Sequence, residues 1–206
     1  VIEKSLGGVD VMSSIALFDK SALLNWAFLI VFFIVNDFVQ WFTHVMLHKF
    51  PVLWRFHKVH HSVQEMGFAA HLRYHWMENI FYKPLKTFAV MILIGAEPEH
   101  AFFMHFFSIL IGHLNHANVR ITWGPLKYVF NNSVMHLYHH AKELPADRTN
   151  GVNFGISLSI WDYIFKKNYI PQDQDGSYVL GFEGIENYPK GFFRQLVSGF
   201  KKEKHQ

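Results

Sequence analysis

The sequence contains no cysteine and few charged residues. Without cysteine the chain has no disulfides and no thiolate ligands, so iron–sulfur and other soft metal centres are excluded. Charged residues make up 17% of the 206 residues, against about 25% in soluble domains. Hydrophobic residues make up 50%, and 22 residues are phenylalanine. These proportions indicate a single-domain membrane protein rather than a soluble one.

Several sequence features of other protein classes are also missing. Gly7-Gly8 lacks the flanking strand and helix of a nucleotide-binding loop, and no flavin or haem motif is present. The net charge of +3 is scattered rather than clustered, which argues against nucleic-acid binding. Residues 1–20 lack the basic region and cleavage site of a signal peptide. Because the chain begins at Val1 rather than methionine, we expect it to be a fragment or a processed chain.

Histidine is abundant, with 15 residues, and its spacing is regular. Two H-x2-H-H triads and one H-x3-H pair place their imidazoles on one face of a helix. Neutral imidazole binds iron, zinc, copper and nickel. Eight imidazoles exceed the needs of one tetrahedral zinc, so we predict two adjacent metal ions. The predicted ligands are His44, His48, His57, His60, His61, His136, His139 and His140. The alternative is that these histidines only solvate helix faces, but such clusters would repel one another when protonated.

Residues 22–35 are almost purely apolar, and we expect one helix to continue from there until Pro51. About 27 residues span about 40 Å, which is enough to cross a bilayer and extend beyond it. The first histidine pair then lies at the membrane surface. Asp37 lies on the same face as His44, and it is predicted either to accept an imidazole N–H, to bind metal, or to occupy a polar cavity.

Residues 81–94 and 99–114 predict a helical hairpin, with Gly95 ending the first arm and Pro98 opening the second. The hairpin tip has no Lys or Arg, whereas both feet are basic. The positive-inside bias therefore predicts a cytosolic location for the feet, for the His-rich segment 52–78 and for all the clusters.

The remaining segments complete an all-α prediction. We expect a helix over residues 125–140, a polar loop over 143–153 and an amphipathic helix over 154–167. The core then covers about residues 22–166 of one domain, 1–206, and residues 167–206 form an extended surface tail.

The other histidines are weaker candidates. His71 and His75 form another i, i+4 pair, which by itself is more typical of structural or interfacial histidines. His113 and His116 lie at the foot of the second hairpin arm, and His116 is the better extra ligand. His100 and His105 are expected to be structural or to face a polar cavity.

The order of the clusters resembles that of the fatty acid hydroxylase / sterol desaturase superfamily of integral membrane di-iron enzymes. The further landmarks are Asp37, Arg73-x-His75, His116-Ala117-Asn118, Asn153-Phe154-Gly155 and Trp161-Asp162-x-x-Phe165. The resemblance covers roughly residues 37–165. It implies that the eight cluster histidines bind two iron ions as the catalytic site, and that His75 and His116 join or support them.

This resemblance implies an O2-dependent oxidoreductase that hydroxylates a lipid hydrocarbon, in a bacterial inner membrane or the endoplasmic reticulum. Cleavage of an unactivated C–H bond requires an oxidant stronger than any side chain, so the metal and O2 must supply it. The sequence carries no redox module of its own. We therefore expect an external donor such as cytochrome b5, ferredoxin or rubredoxin, with its reductase. Lipid desaturation and a non-enzymatic metal carrier are the alternatives. A soluble zinc hydrolase is disfavoured because no H-E-x-x-H motif is present.

Overall fold

The computed structural model describes residues 25–171 and 178–200, and it is mostly helical over these ranges. Residues 1–24, with Gly7-Gly8 and the expected start of the first helix, lie outside the described residues. No β-strand occurs in the described ranges, where two isolated bridges join Phe130 to Leu158 and Ala141 to Leu180. The α-helices are α1 Asn25–Lys49, α2 Pro51–His61, α3 Lys83–Ile94, α4 Pro98–His116, α5 Ser133–His139, α6 Ile160–Ile164 and α7 Phe192–Ser198. Shorter 3-10 turns cover Phe68–Leu72, Gly124–Tyr128 and Ile185–Asn187, and Glu78–Tyr82 is a π-helix.

The predicted hairpin is confirmed as α3 and α4. Gly95 ends α3 in the left-handed conformation, with φ 71°, and its N–H donates to Met91 O. Pro98 occupies the first turn of α4, where its missing N–H is not needed. The hairpin packs against α1 through one apolar core. That core contains Phe28, Phe32, Val90, Met91, Ile94, Ala96 and Met104.

Within the described ranges, one helix is long and apolar enough to cross a membrane, at Ala27–Lys49. Large apolar side chains point outward from α1, α3 and α4. Among them, Ile30 is 59% exposed, Phe88 is 60% exposed and Phe102 is 75% exposed. Such an exposed apolar surface is unfavourable in water, so it supports the membrane association expected from composition.

The single helix predicted over residues 125–140 is wrong, because the chain breaks into a 3-10 turn and the short helix α5. Asn132 adopts an extended conformation before α5 and caps it, since its side chain accepts the Met135 N–H at 2.9 Å. Asn131 N–H donates to Ser157 O at 2.9 Å. Ser157 is remote in sequence, so helix periodicity does not reveal its contact with Asn131.

The helix predicted over residues 154–167 is also largely wrong, since only Ile160–Ile164 is helical. The backbone of Phe154 and Gly155 is bound by the Asp162 carboxylate instead of forming helical hydrogen bonds.

The expectation of an extended tail is wrong for the C-terminal part, which contains α7. Arg73 Nη2 donates to Gln195 Oε1 at 3.0 Å, and Gln195 is buried. These contacts fasten α7 to the segment that follows α2.

Candidate metal centre

Four helices bring nine imidazoles together. The end of α1 supplies His44 and His48, α2 supplies the first triad, and α5 with its C-terminal cap supplies the second. The last residue of α4 adds His116. The ring nitrogens form two groups, in each of which all ligand atoms lie within 4.8 Å of one another. The first group is His44, His48, His57, His61 and His139, and the second is His60, His116, His136 and His140. All are buried except the half-buried His48.

The two groups are neighbours. The rings of His61 and His140, one from each group, stack with centroids 4.3 Å apart. The rings of His57 and His60 are 5.4 Å apart. The arrangement therefore offers two adjacent ion positions rather than two separate sites.

Backbone carbonyls decide which ring nitrogen carries the proton in several of these histidines. The Nδ1 of His44 donates to Phe154 O at 2.8 Å, and that of His139 donates to Val152 O at 2.8 Å. A carbonyl oxygen can only accept, so Nδ1 is protonated and Nε2 keeps its lone pair. Metal-binding histidines are generally oriented in this way, by a hydrogen bond from the ring nitrogen that does not bind the metal.

The pair His60 and His116 shows the consequence most clearly. His60 Nδ1 donates to Arg73 O at 3.1 Å, and His116 Nδ1 donates to Gly112 O at 2.6 Å. Both Nε2 atoms are therefore unprotonated, yet they face each other at 3.1 Å. Two lone pairs at this distance repel unless a cation lies between them. Two nitrogens that bind one ion at about 2.1 Å are about 3.0 Å apart when their bonds are at right angles.

Other ring nitrogens point at the same centre without any partner. The Nε2 atoms of His48, His61, His139 and His140 are buried and make no hydrogen bond within the described part of the chain. Each such atom costs about 1–3 kcal/mol if left unsatisfied. A metal ion in each group would satisfy them, so the residues present fit a pair of bound metals.

Burial also favours the neutral form that binds metal. Desolvation lowers the pKa of His61 and His140 well below the ordinary value, and the like charge of neighbouring histidines lowers it further. Desolvation lowers the pKa of His139 to about 3. These imidazoles are therefore unprotonated at neutral pH.

Sequence reasoning missed Glu78, which is buried on the π-helix. Its Oε2 accepts from His57 Nδ1 at 3.1 Å, so it orients a ring of the first group as carbonyls orient the others. π-Helical turns are frequent at functional sites. The sequence feature that could have suggested this role is a carboxylate immediately before an apolar segment.

Asp162 positions the Phe154 carbonyl that holds His44. Its carboxylate accepts the N–H groups of Phe154 and Gly155, each at 2.9 Å, and the Trp41 Nε1–H at 2.8 Å. Burial raises the pKa of Asp162 to about 6. The Asn-Phe-Gly and Trp-Asp landmarks thus form one support that lies behind the histidines.

The structure places two other candidate residues, Asp37 and His75, outside the two groups of ring nitrogens. Asp37 has no hydrogen bond to an imidazole of the described residues; it accepts from Trp161 Nε1 at 2.9 Å and from Ser157 N at 3.3 Å. His75 belongs to neither group. Its Nε2 donates to Leu196 O at 2.7 Å and its Nδ1 accepts from Met77 N at 3.1 Å, so both ring nitrogens are occupied.

The weaker candidates lie around the centre. His71 packs against His116 with ring centroids 5.0 Å apart, and His113 stacks on Phe68 at 3.8 Å. His100 accepts the Glu97 N–H at the hairpin tip, which is the structural role expected of it. His105 faces a cavity.

This cavity of about 530 Å³ adjoins the histidines. His44, His57 and His60 line one part of it, and Phe32, Phe88 and Met104, from the core and the hairpin, line another. Polar side chains lie between these two parts, including Asn36 and Gln40. The cavity can therefore hold a molecule with a polar part near the histidines and an apolar part among the helices.

The fold and the site define a mostly helical, histidine-rich protein whose two groups of imidazoles could hold metal ions beside a partly apolar cavity. A family profile for fatty acid hydroxylases matches residues 29–167. The ornithine lipid hydroxylase OlsE of Rhizobium tropici is 30% identical over 170 residues, which are 82% of this chain and 49% of that protein. The chain belongs to the fatty acid hydroxylase family, as its histidine series suggested.

More distant relatives agree with this assignment. Alkylglycerol monooxygenase of Xenopus tropicalis is 26% identical over 84% of this chain and 38% of that protein. The Homo sapiens alkylglycerol monooxygenase is 27% identical over 76% of this chain and 35% of its own length. The chain thus spans half the length or less of these curated relatives. No solved structure matches it significantly.

Proposed function

We propose that this chain carries the catalytic site of a membrane-bound, O2-dependent lipid hydroxylase that binds two iron ions at its nine clustered histidines. The observation that carries the proposal is the pair of unprotonated nitrogens of His60 and His116, which face each other at 3.1 Å. The names of the relatives, an ornithine lipid hydroxylase and an alkylglycerol monooxygenase, support a lipid substrate and the insertion of oxygen.

The protein's own residues have three tasks in this reaction. Glu78 and the carbonyls of residues 152, 154, 73 and 112 keep the Nε2 lone pairs directed at the ions. The cavity holds one carbon of the lipid beside His44, His57 and His60. Its apolar walls exclude water from the reacting carbon. The iron, when bound, supplies with O2 the oxidising power that side chains lack.

The proposal includes a multi-pass topology with all clusters on the cytosolic side, where a small electron-transfer protein reaches them. Cytochrome b5, ferredoxin and rubredoxin, each with its reductase, are the classes of donor proposed. Cysteines introduced at Glu97 and Lys142 test the topology with a membrane-impermeant label. The two positions should label from opposite sides, and labelling from one side only would overturn the topology.

The reaction is tested with purified, iron-loaded protein, a reductase system, native lipids and isotopically labelled O2. Mass spectrometry should show a lipid that has gained one labelled oxygen atom. Loss of two hydrogens without label would indicate desaturation instead. No lipid change with a competent donor would favour a metal carrier.

Two variants connect this result to the site. His60→Ala should lose most of its bound metal and its turnover, because it opens a coordination position in the second group. His100→Ala is the matched control, since His100 lies at the hairpin tip and belongs to neither group. Unchanged metal content in His60→Ala would show that the ligand assignment is wrong.

A further inference from the structure

Basic side chains line one wall of the cavity that adjoins the histidines. Lys83 and Lys86 come from the same face of α3, one turn apart, and His105 comes from α4. Lys83 Nζ donates to Asn79 Oδ1 at 2.9 Å and lies over the Tyr74 ring, 3.1 Å from its centroid. Neither lysine makes an ion pair with another residue of the described ranges.

The opposite charges nearest to these lysines act on them only from a distance. The two ammonium groups are close enough to repel each other, and both act unfavourably on a protonated His105. The carboxylates that attract them from a distance are Glu78 for Lys83 and Asp37 for Lys86.

Neither carboxylate forms a salt bridge with these lysines, and the hydrogen bonds that they accept come from other groups. Glu78 accepts from His57, and Asp37 accepts from Trp161 and from Ser157 N. Within the described ranges, neither ammonium group is therefore held by a direct ion pair, and a charge without a close counter-ion is costly near a membrane. An anion in the cavity would offset that cost and the mutual repulsion.

We propose, on the basis of the proposed function, that Lys83 and Lys86 bind the acidic group of the lipid substrate, a phosphate or a carboxylate. Amide groups on the same walls, from Asn36 and Gln40, can donate further hydrogen bonds to such a group. The apolar walls at Phe32, Phe88 and Met104 then take the hydrocarbon chain.

This arrangement also predicts where the lipid reacts. The lysines and the histidines line the same cavity of about 530 Å³. A lipid anchored at the lysines therefore presents carbons near its acidic end, rather than carbons at the far end of the chain, to the metal centre.

The experiment measures binding to metal-free protein in a neutral detergent, so that it does not depend on turnover. The probes are dodecyl phosphate, dodecanoate, dodecanol and inorganic phosphate, with binding followed by tryptophan fluorescence and calorimetry. Dodecyl phosphate or dodecanoate should bind at least about tenfold more tightly than dodecanol, the effect of one charge-assisted hydrogen bond. Inorganic phosphate should bind weakly, because it lacks the chain.

Substitution of the two lysines tests whether they cause the tighter binding of the acidic probes. Lys86→Met and Lys83→Met should each weaken binding of the acidic probe about tenfold, and Lys86→Arg should retain it. Lys190→Met, at an exposed lysine away from the cavity, should not change it. The two Met variants are independent, so misfolding of one leaves the other as a test.

Two results would overturn the proposal. Equal binding of dodecanol and the acidic probes would show that the lysines only reach towards the membrane surface. Binding of inorganic phosphate as tight as that of dodecyl phosphate would indicate a free-anion site. Either result would leave the labelled-oxygen test of the hydroxylase function unaffected.

Discussion

Replacing Glu78 with Gln should weaken the binding of one metal ion and leave the binding of the other unchanged. Glu78 is 2% exposed, and among the described residues its hydrogen bond to the centre is the one from His57 Nδ1, at 3.1 Å. The amide oxygen of Gln can still accept that hydrogen bond, so the ring stays in place, but the negative charge that increases the basicity of His57 is lost. Changes of this kind typically reduce metal affinity about 10–100-fold, which corresponds to about 1.4–2.7 kcal/mol.

The effect should be confined to the first group, because His57 belongs to that group alone. Anaerobic titration with ferrous iron against a competing chelator should then show one site weakened and one unchanged. Glu65→Gln, at an exposed glutamate, is the control and should bind both ions as the unmodified protein does. A change of less than twofold in Glu78→Gln, or an equal loss at both sites, would refute the role given to this carboxylate.

Three further predictions concern the same centre. The metal-free protein should lose thermal stability as the pH falls below about 6.5: His139 has its pKa lowered to about 3, so the unfolded chain binds protons that the folded one does not. Each such histidine lowers the free energy of unfolding by up to about 1.4 kcal/mol per pH unit as the pH falls. The raised pKa of Asp162 acts in the opposite direction. A thermal unfolding midpoint that is constant between pH 7 and pH 5 would contradict this prediction. Gly155→Ala should lower both stability and metal content because its Cβ would lie 2.3 Å from a backbone oxygen, whereas Gly67→Ala, with nothing within 4 Å, should be neutral by the same measurements. His75→Ala should retain both ions in elemental analysis, and loss of metal would return His75 to the ligand set.

The local part of the site could be predicted from sequence. An i, i+3, i+4 triad on a helix places its first and third members about 40° apart and its second and third about 100° apart. In the structure His57 and His61 accordingly share one group while His60 belongs to the other. The second triad divides in the same way, since His136 and His140 share a group and His139 joins the opposite one. Helix geometry thus explains why each triad contributes to both ion positions.

Hydrophobic periodicity did not reveal where the predicted helices break. Residues 125–140 carry an apolar pattern. The Asn132 side chain nevertheless caps α5, and the Asn131 N–H donates to the distant residue Ser157. Phe154 and Gly155 likewise bind the Asp162 carboxylate rather than continuing a helix. In both cases a side chain accepts backbone N–H groups and so competes with a continuous helix.

Sequence alone determined the family, the eight clustered histidines and the hairpin, because each depends on spacing within a few residues. Tertiary structure decided which candidates complete the centre. His116 is 56 positions from His60, and folding brings their nitrogens to 3.1 Å. His75 is turned away by Leu196, which lies 121 positions further along the chain. Glu78 became part of the site only when the π-helix placed its carboxylate against His57. Such contacts depend on how the helices pack, and that packing is not written in the spacing of any one segment.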